Sequence, residues 1–372
     1  MNHPLKENHP LYHASSQLMT TFDIPAVFKR ARITALEEEN VTMQDPLSNA
    51  VPDPNPIPHH SPVLVREVIA NLVYKPHDKA VYLDCTVGMG GHANAILQAT
   101  LPACTVIGID RDQEAIAFAG LKLNPFQDRI KLVHGSFKRI GEIAGNLGLS
   151  EVNGILVDCG VSSMQLTSLE RGFSCTMSGP LDMRMDRSLS QTAADIVNTL
   201  REEDLANLIY RYGEEKASRR IAAAIVRYRE NEEPIIRTDC LSEIVCRVVY
   251  RRLKGKRIHP ATKTFQALRI AVNDELGELE GGLARAISLL AVGGRLAVIS
   301  FHSLEDRIVK QSFRAAARPS ASTATRGSGP LAAPRWGRFV NLYKKPIIPT
   351  DEEIAQNGRA RSAKMRVLER VE

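Results

Sequence analysis

Five short apolar runs each close on a polar residue: Ala80-Val-Tyr-Leu-Asp84, Thr105-Val-Ile-Gly-Ile-Asp110, Arg129-Ile-Lys-Leu-Val-His134, Gly154-Ile-Leu-Val-Asp158 and Arg295-Leu-Ala-Val-Ile-Ser300. Segments of helical period lie between them. Near-continuous apolar strands separated by helices predict parallel strands covered on both faces. The expected fold class is therefore α/β, a doubly wound, Rossmann-like sheet. In such sheets a ligand sits outside the carboxyl ends of the strands, where Asp84, Asp110, Asp158 and Ser300 would converge.

The runs are unevenly spaced. Roughly 135 residues separate Asp158 from Arg295, far more than a crossover helix needs. An inserted all-helical subdomain explains the gap, with helical patterns at Ser190–Leu200, Glu203–Tyr212, Glu215–Arg229 and Arg237–Leu253. From Thr262 onward, Phe265, Leu268, Val272, Leu276, Leu279 and Leu283 recur at three- and four-residue steps. That period predicts one long amphipathic helix leading back into the sheet. The sheet domain is thus expected over 59–165 and 262–372, and the insertion over 166–261. Residues 1–58 hold eight of the twenty prolines, a composition that cannot bury enough apolar surface to offset ordering. They are expected to be a disordered extension, with a short helical pattern around Ile24–Leu36 and Met43 as a candidate translation start. The Ala-, Ser-, Thr- and Pro-rich stretch 315–334 reads as a mobile loop.

Composition narrows the class. Hydrophobic residues make up 44% of the 372, enough for a sizeable core. No apolar run approaches a bilayer span and no secretory order opens the chain, so a cytoplasmic, membrane-free protein is expected. Six scattered cysteines without a C-x-x-C pair support neither a disulfide framework nor a metal site. The net charge of +6 is concentrated. Between Arg247 and His259 stand Arg247, Arg251, Arg252, Lys254, Lys256 and Arg257 with no acid, and Arg314–Lys345 carries seven more cations, again without one. Blocks of this kind hold phosphates, which favours a nucleic-acid partner over a merely solvated face.

Chemistry concentrates in the loop Asp84-Cys-Thr-Val-Gly88-Met-Gly90-Gly91-His92, between the first strand and a helix. Its glycines let backbone approach a ligand at the helix N-terminus. Asp110 closes the second strand about twenty residues later, where a carboxylate accepts ribose hydroxyls. Nicotinamide and S-adenosylmethionine folds share that device. The strict G-x-G-x-x-G is absent, and the leading Asp84 suits a cofactor bearing an ammonium group, so the methyl donor is favoured. Asp158, in Asp158-Cys-Gly-Val-Ser162-Ser163, is a candidate either for cofactor contact or for accepting an N–H from an exocyclic amine. Phe137 is either core or a stacking platform for a cofactor base. Ser300-Phe-His302-Ser303-Leu-Glu305-Asp306 reads equally as a helix start, with Ser303 and Asp306 forming a capping box, and as a pocket wall.

These segments together resemble the small-subunit ribosomal RNA methyltransferase H family. The matching stretches are His60–Leu64, Asp84–His92, Gly108–Asp112, Asp158–Ser163, Glu170–Ser174, Gly179–Asp186, Tyr212–Glu215, His259–Gln266 and Ser300–Arg307, with Asn357–Ser362 echoing the family's closing motif. The resemblance implies S-adenosylmethionine as cofactor, held by Gly90, Gly91, His92, Asp110, Phe137, Asp158 and Gln165. It further implies methylation of a cytidine N4 in the decoding centre of 16S rRNA, with the small ribosomal subunit as partner. Met164 departs from the pattern, standing where proline is usual before the glutamine. No general base is assigned. A nicotinamide-dependent oxidoreductase and a non-catalytic rRNA-binding assembly factor remain the alternatives.

Overall fold

A computed structural model describes residues 62–75, 78–249, 259–318 and 338–372. The expected N-terminal extension, the stretch 319–334 and most of the basic segment after Arg247 lie outside the described residues. Among them, a seven-stranded sheet has the order β3-β2-β1-β4-β5-β7-β6. The strands are β1 (Val81–Asp84), β2 (Thr105–Asp110), β3 (Ile130–His134), β4 (Val152–Asp158), β5 (Leu290–Ser300), β6 (Phe339–Asn341) and β7 (Lys364–Arg370). The first five are parallel, as the apolar runs predict. β7 then pairs antiparallel with β5, and β6 with β7. The doubly wound, Rossmann-like sheet expected is present, and the antiparallel β7 and β6, which no apolar run announces, make it a mixed one.

Side chains alternate across this sheet and build two cores. On one face, Ile155 and Val157 of β4 and Leu296 and Val298 of β5 pack with Ile140 of α4 (Ile140–Asn146), Leu283 of α11 (Glu275–Leu289) and Phe313 of α12 (Ser303–Ala316). On the other, Leu156, Ala297 and Ile299 meet α1 (Val65–Leu72), α2 (Gly91–Ala99) and Ala119 of α3 (Gln113–Lys122). Period-two burial of this kind is what a sheet covered on both faces requires. α12 extends two residues into the stretch expected to be a loop, through Ala315 and Ala316.

After β4 and the short α5 (Ser163–Thr167), the chain builds a third, helical core. It contains α6 (Ala193–Thr199), α7 (Glu202–Gly213), α8 (Ser218–Asn231), α9 (Thr238–Val249) and α10 (Thr262–Asn273). Leu205 and Ile209, Ile221 and Ile225, and Leu241 and Val245 present successive turns of one apolar face to that core. Phe265, Leu268 and Val272 of α10 join it too.

The long helix expected from Thr262 is two helices. Asp274 adopts a left-handed φ of 46° and separates α10 from α11. The cause is tertiary. Asn273 is buried, and its amide donates to Met183 O (2.7 Å) and Arg269 O (2.9 Å) while its Oδ1 accepts from Met185 N (2.8 Å). Asn273 O in turn accepts Arg111 Nη1 at 2.7 Å, so the carbonyl that a continuing helix would pair with residue 277 is taken by a side chain from beyond β2. The break turns the start of α11 toward the carboxyl ends of the strands.

Candidate active site

A cavity of about 350 Å³ opens there, in the size range of a nucleoside-bearing ligand. Gly88, Met89, Gly91, His92, Asp110, Phe137, Asp158 and Gln165 line it from the strand side. Arg269, Glu275, Glu278, Phe301, Glu305 and Arg359 line it from elsewhere in the chain. Six of the seven residues implied by the resemblance therefore share one cavity wall. The seventh, Gly90, is absent from that wall. Its left-handed φ of 74° caps α2, and a side chain there would meet Leu123 at 3.1 Å, so it shapes the turn from behind.

Each remaining residue is held by named partners. Asp110 accepts Gly88 N at 2.8 Å and Asp112 N at 2.9 Å, which fixes the carboxylate at the end of β2. His92 is buried in the first turn of α2, with Nε2 2.8 Å from Val63 O and Nδ1 3.6 Å from Asp158 Oδ2. Phe137 lies against Gly282 of α11 so closely that a Cβ at Gly282 would stand 2.3 Å from the ring. Gln165 is occupied in bracing: its Oε1 accepts Ser162 N at 3.0 Å and its Nε2 donates to Asp112 Oδ2 at 2.8 Å. Asp112 is in turn bound by buried Arg171 at 2.7 Å. Gln165 thus ties the loop after β4 to the loop after β2.

The cavity is lined by the acids Asp110, Asp158, Glu275, Glu278 and Glu305, and Asp84 is buried next to the lining residue Cys85. Burial raises Asp84 to about 7, despite an opposing bond from Thr86 N, and raises Asp110 to about 6 against its two backbone bonds. Asp158 is pushed well above the usual carboxylate range by burial, with Asp84 and Glu305 adding like charge. Glu305 is also penalised by burial. The His302 bond and charge, Arg269 and Phe301 N outweigh that penalty and leave it lowered. Asp158 Oδ1 and Asp84 Oδ2 are buried without a hydrogen-bond partner. Such atoms are costly unless a ligand completes them. A cationic, N–H-bearing ligand meets that need, and the sulfonium and ammonium of S-adenosylmethionine fit it.

The far wall was only partly visible in sequence. The Ser300–Asp306 stretch is both a helix start and a pocket wall, but its cap differs from expectation. His302 is the N-cap and Glu305 its partner, with Glu305 Oε2 accepting Phe301 N at 2.8 Å and His302 N at 3.2 Å. Asp306, expected in that role, pairs with Arg366 at 2.7 Å instead. Ser300 is buried and donates to Lys364 O, away from the cavity wall. Glu275, His302 and Glu305 come within 4.8 Å of one another. Glu275 is already engaged by Arg269 through both oxygens, at 2.7 and 2.8 Å, so the group is bonded internally. Arg359 and Met185 went unassigned in sequence; the only signal was their place in the closing motif and in Gly179–Asp186. Of the basic segment, Arg247 pairs with Glu243 on α9, and Arg251, Arg252, Lys254, Lys256 and Arg257 lie outside the described residues. No helix among the described residues is long and apolar enough to cross a membrane.

Comparison with known proteins places this geometry. The chain is 47% identical over 313 residues to "Ribosomal RNA small subunit methyltransferase H" of Geobacter sp. (strain M21), covering 84% of this chain and 99% of that protein. It is 50% identical over 316 residues to the protein of the same name from Paramagnetospirillum magneticum, covering 84% and 95%. A solved rRNA methylase from Streptococcus thermophilus superposes over 81% of this chain and 92% of its own at a TM-score of 0.35 and 9% identity, too loosely to carry argument. The family match removes the nicotinamide alternative. With the MraW methylase family matching residues 58–371, the chain belongs to that family, a Rossmann-like methyltransferase whose cofactor is S-adenosylmethionine.

Proposed function

We propose that the protein methylates the exocyclic N4 of a cytidine in the decoding centre of 16S rRNA, acting on the small ribosomal subunit. The observation that carries this reading is Asp158 Oδ1, a buried carboxylate oxygen on the cavity wall with no partner. An exocyclic amine has its lone pair delocalised into the ring. A carboxylate that accepts one of its N–H bonds localises that pair on nitrogen and receives the proton that methylation releases. Bound S-adenosylmethionine supplies the electrophilic methyl. The acceptor nitrogen gains a carbon and loses a proton, and S-adenosylhomocysteine remains.

The other assignments follow from the wall. Asp110 suits the ribose hydroxyls, Phe137 the adenine side, and the Gly88–Gly91 backbone with His92 the amino-acid end. Gln165 acts by bracing. The helical region 166–261 is proposed to recognise RNA, with the basic stretch from Arg247 to His259 meeting phosphates. A paired or stacked base cannot reach a buried donor, so the cytidine is extruded into the cavity.

The test incubates purified protein with labelled donor and small subunits lacking the modification, then maps the labelled nucleotide. Label on N4 of one decoding-centre cytidine is expected. Label on a different position, on protein, or RNA association without transfer as for an assembly factor, refutes the reading.

A further inference from the structure

We propose that Arg359 anchors the target nucleotide by its backbone phosphate at the cavity mouth. Arg359 lines the cavity with its guanidinium half-buried. None of the ion pairs among the described residues includes it, although Asp158 and Glu305 line the same cavity. Its side-chain hydrogen bond goes to the neutral Ser163 Oγ. Burial alone pulls its pKa down, with no charge of opposite sign opposing it. A desolvated guanidinium without a counter-ion is unfavourable unless a ligand supplies the anion. Its planar donor fork matches the oxygens of a phosphate.

The cation is also firmly presented. Asn357 Oδ1 accepts Arg359 N at 3.2 Å, and Ala360 and Ala363 on either side of the turn are 0% and 2% exposed. The turn continues directly into β7, which pairs with β5. Topology separates the two anions that could take this place. Ser163 opens α5 just after β4, whereas Asp110 ends β2, on the far side of β1. Arg359 therefore stands on the β4–β5–β7 side, away from Asp110, which the reading above assigns to the donor's ribose. On that same reading the donor's amino-acid end faces the glycine loop and the start of α2, which leaves Arg359 for the acceptor.

This proposal rests on the RNA-methyltransferase reading, and its test separates the two. Arg359→Gln, Arg359→Lys and the exposed control Arg361→Gln are compared in the full chain. Donor affinity is read by calorimetry with S-adenosylmethionine, and KM for small subunits and the salt dependence of subunit binding are read separately. Arg359→Gln should raise KM about tenfold or more, leave donor Kd within about twofold, and reduce the slope of log affinity against log salt by about one. Lysine keeps the charge without the fork, so Arg359→Lys should fall between; it carries the test if the glutamine variant fails to fold. Donor binding weakened tenfold at unchanged KM would assign the donor carboxylate to Arg359 and overturn the proposal. So would unchanged KM in both Arg359 variants, or equal damage from Arg361→Gln. Wild-type protein that transfers no methyl to subunits sinks the parent reading alone, because the salt slope still reports on Arg359.

Discussion

Replacing Arg171 with methionine removes a guanidinium whose side chain is 2% exposed and leaves its partners behind. Those partners are Asp112 Oδ2 at 2.7 Å, Glu114 Oε2 at 2.9 Å, and the carbonyls of Arg184 and Met185 at 3.1 and 2.9 Å. Glu114 is 44% exposed and returns to water at little cost. Asp112 is 2% exposed and cannot. Stranding one charge of a buried pair costs about 3–5 kcal/mol, and methionine fills much of the vacated volume, so little of the loss is a cavity effect. Urea unfolding should show that loss as a lower midpoint at unchanged slope. Asp112→Asn removes the stranded charge while keeping an oxygen for the cap on Glu114 N, now 3.0 Å away. In the Arg171→Met background it should therefore recover about 1–3 kcal/mol, a coupling visible only in the double-mutant cycle. Asp112 also holds Gln165, so donor affinity should fall with Arg171→Met and not recover in the double variant. A loss under about 1 kcal/mol, or strict additivity, would refute the argument that this buried pair holds the site's two loops together.

Asp84 gives a pH prediction whose sign is fixed by burial. Its carboxyl rises from 3.8 to about 7 on folding, so the folded state holds the proton more tightly. The stabilisation is complete below the unfolded pKa and is lost as pH rises through the folded one, roughly 4 kcal/mol over that window. Asp84→Asn should flatten stability between pH 4 and 7 in urea titrations; parallel wild-type and variant profiles would contradict this. Gly282→Ala places a Cβ 2.3 Å from the Phe137 ring. It should cost about 1–3 kcal/mol of stability and weaken donor binding by displacing the ring into the cavity; unchanged calorimetric affinity would show that Phe137 does not contact the donor.

The parallel half of the sheet was legible because β1, β2, β4 and the carboxyl half of β5 are buried on both faces, which forces near-continuous apolar runs; β3, at the sheet edge, keeps its apolar positions only half-buried. β7 escaped for the opposite reason. Its sequence Lys364-Met-Arg-Val-Leu-Glu-Arg370 carries four charges, and all four find partners only in the folded chain: Lys364 and Arg366 with Asp306, Glu369 with Arg295 and Arg370 with Glu151. β6 is three residues long and gives no period at all. The helix break at Asp274 was hidden because Phe265 to Leu283 keep one apolar period through it, even though α10 serves the helical core and α11 the sheet core. An uninterrupted period records burial, and it does not record which core does the burying.

The same distinction divides the site. The strand-side wall is made of residues within eight positions of the ends of β1, β2, β3 and β4, so strand ends alone locate Asp110, Phe137, Asp158 and the glycine loop. Even there, sequence could name Gly90 and Gln165 without showing their local bonds: Gly90 shapes the turn against Leu123, and Gln165 lines the cavity while clamping Asp112. The opposite wall depends on three tertiary events. Asn273 reaches the 183–185 loop and turns α11, Glu305 closes the cap on His302, and the turn at Ala360 delivers Arg359 against Ser163. None of these has a local period or spacing, since each joins residues about 90 positions apart or more, or shifts a cap by one residue. A guanidinium outside every ion pair among the described residues becomes conspicuous only once the folded chain shows which charges meet, so the acceptor side is legible in packing and not in sequence.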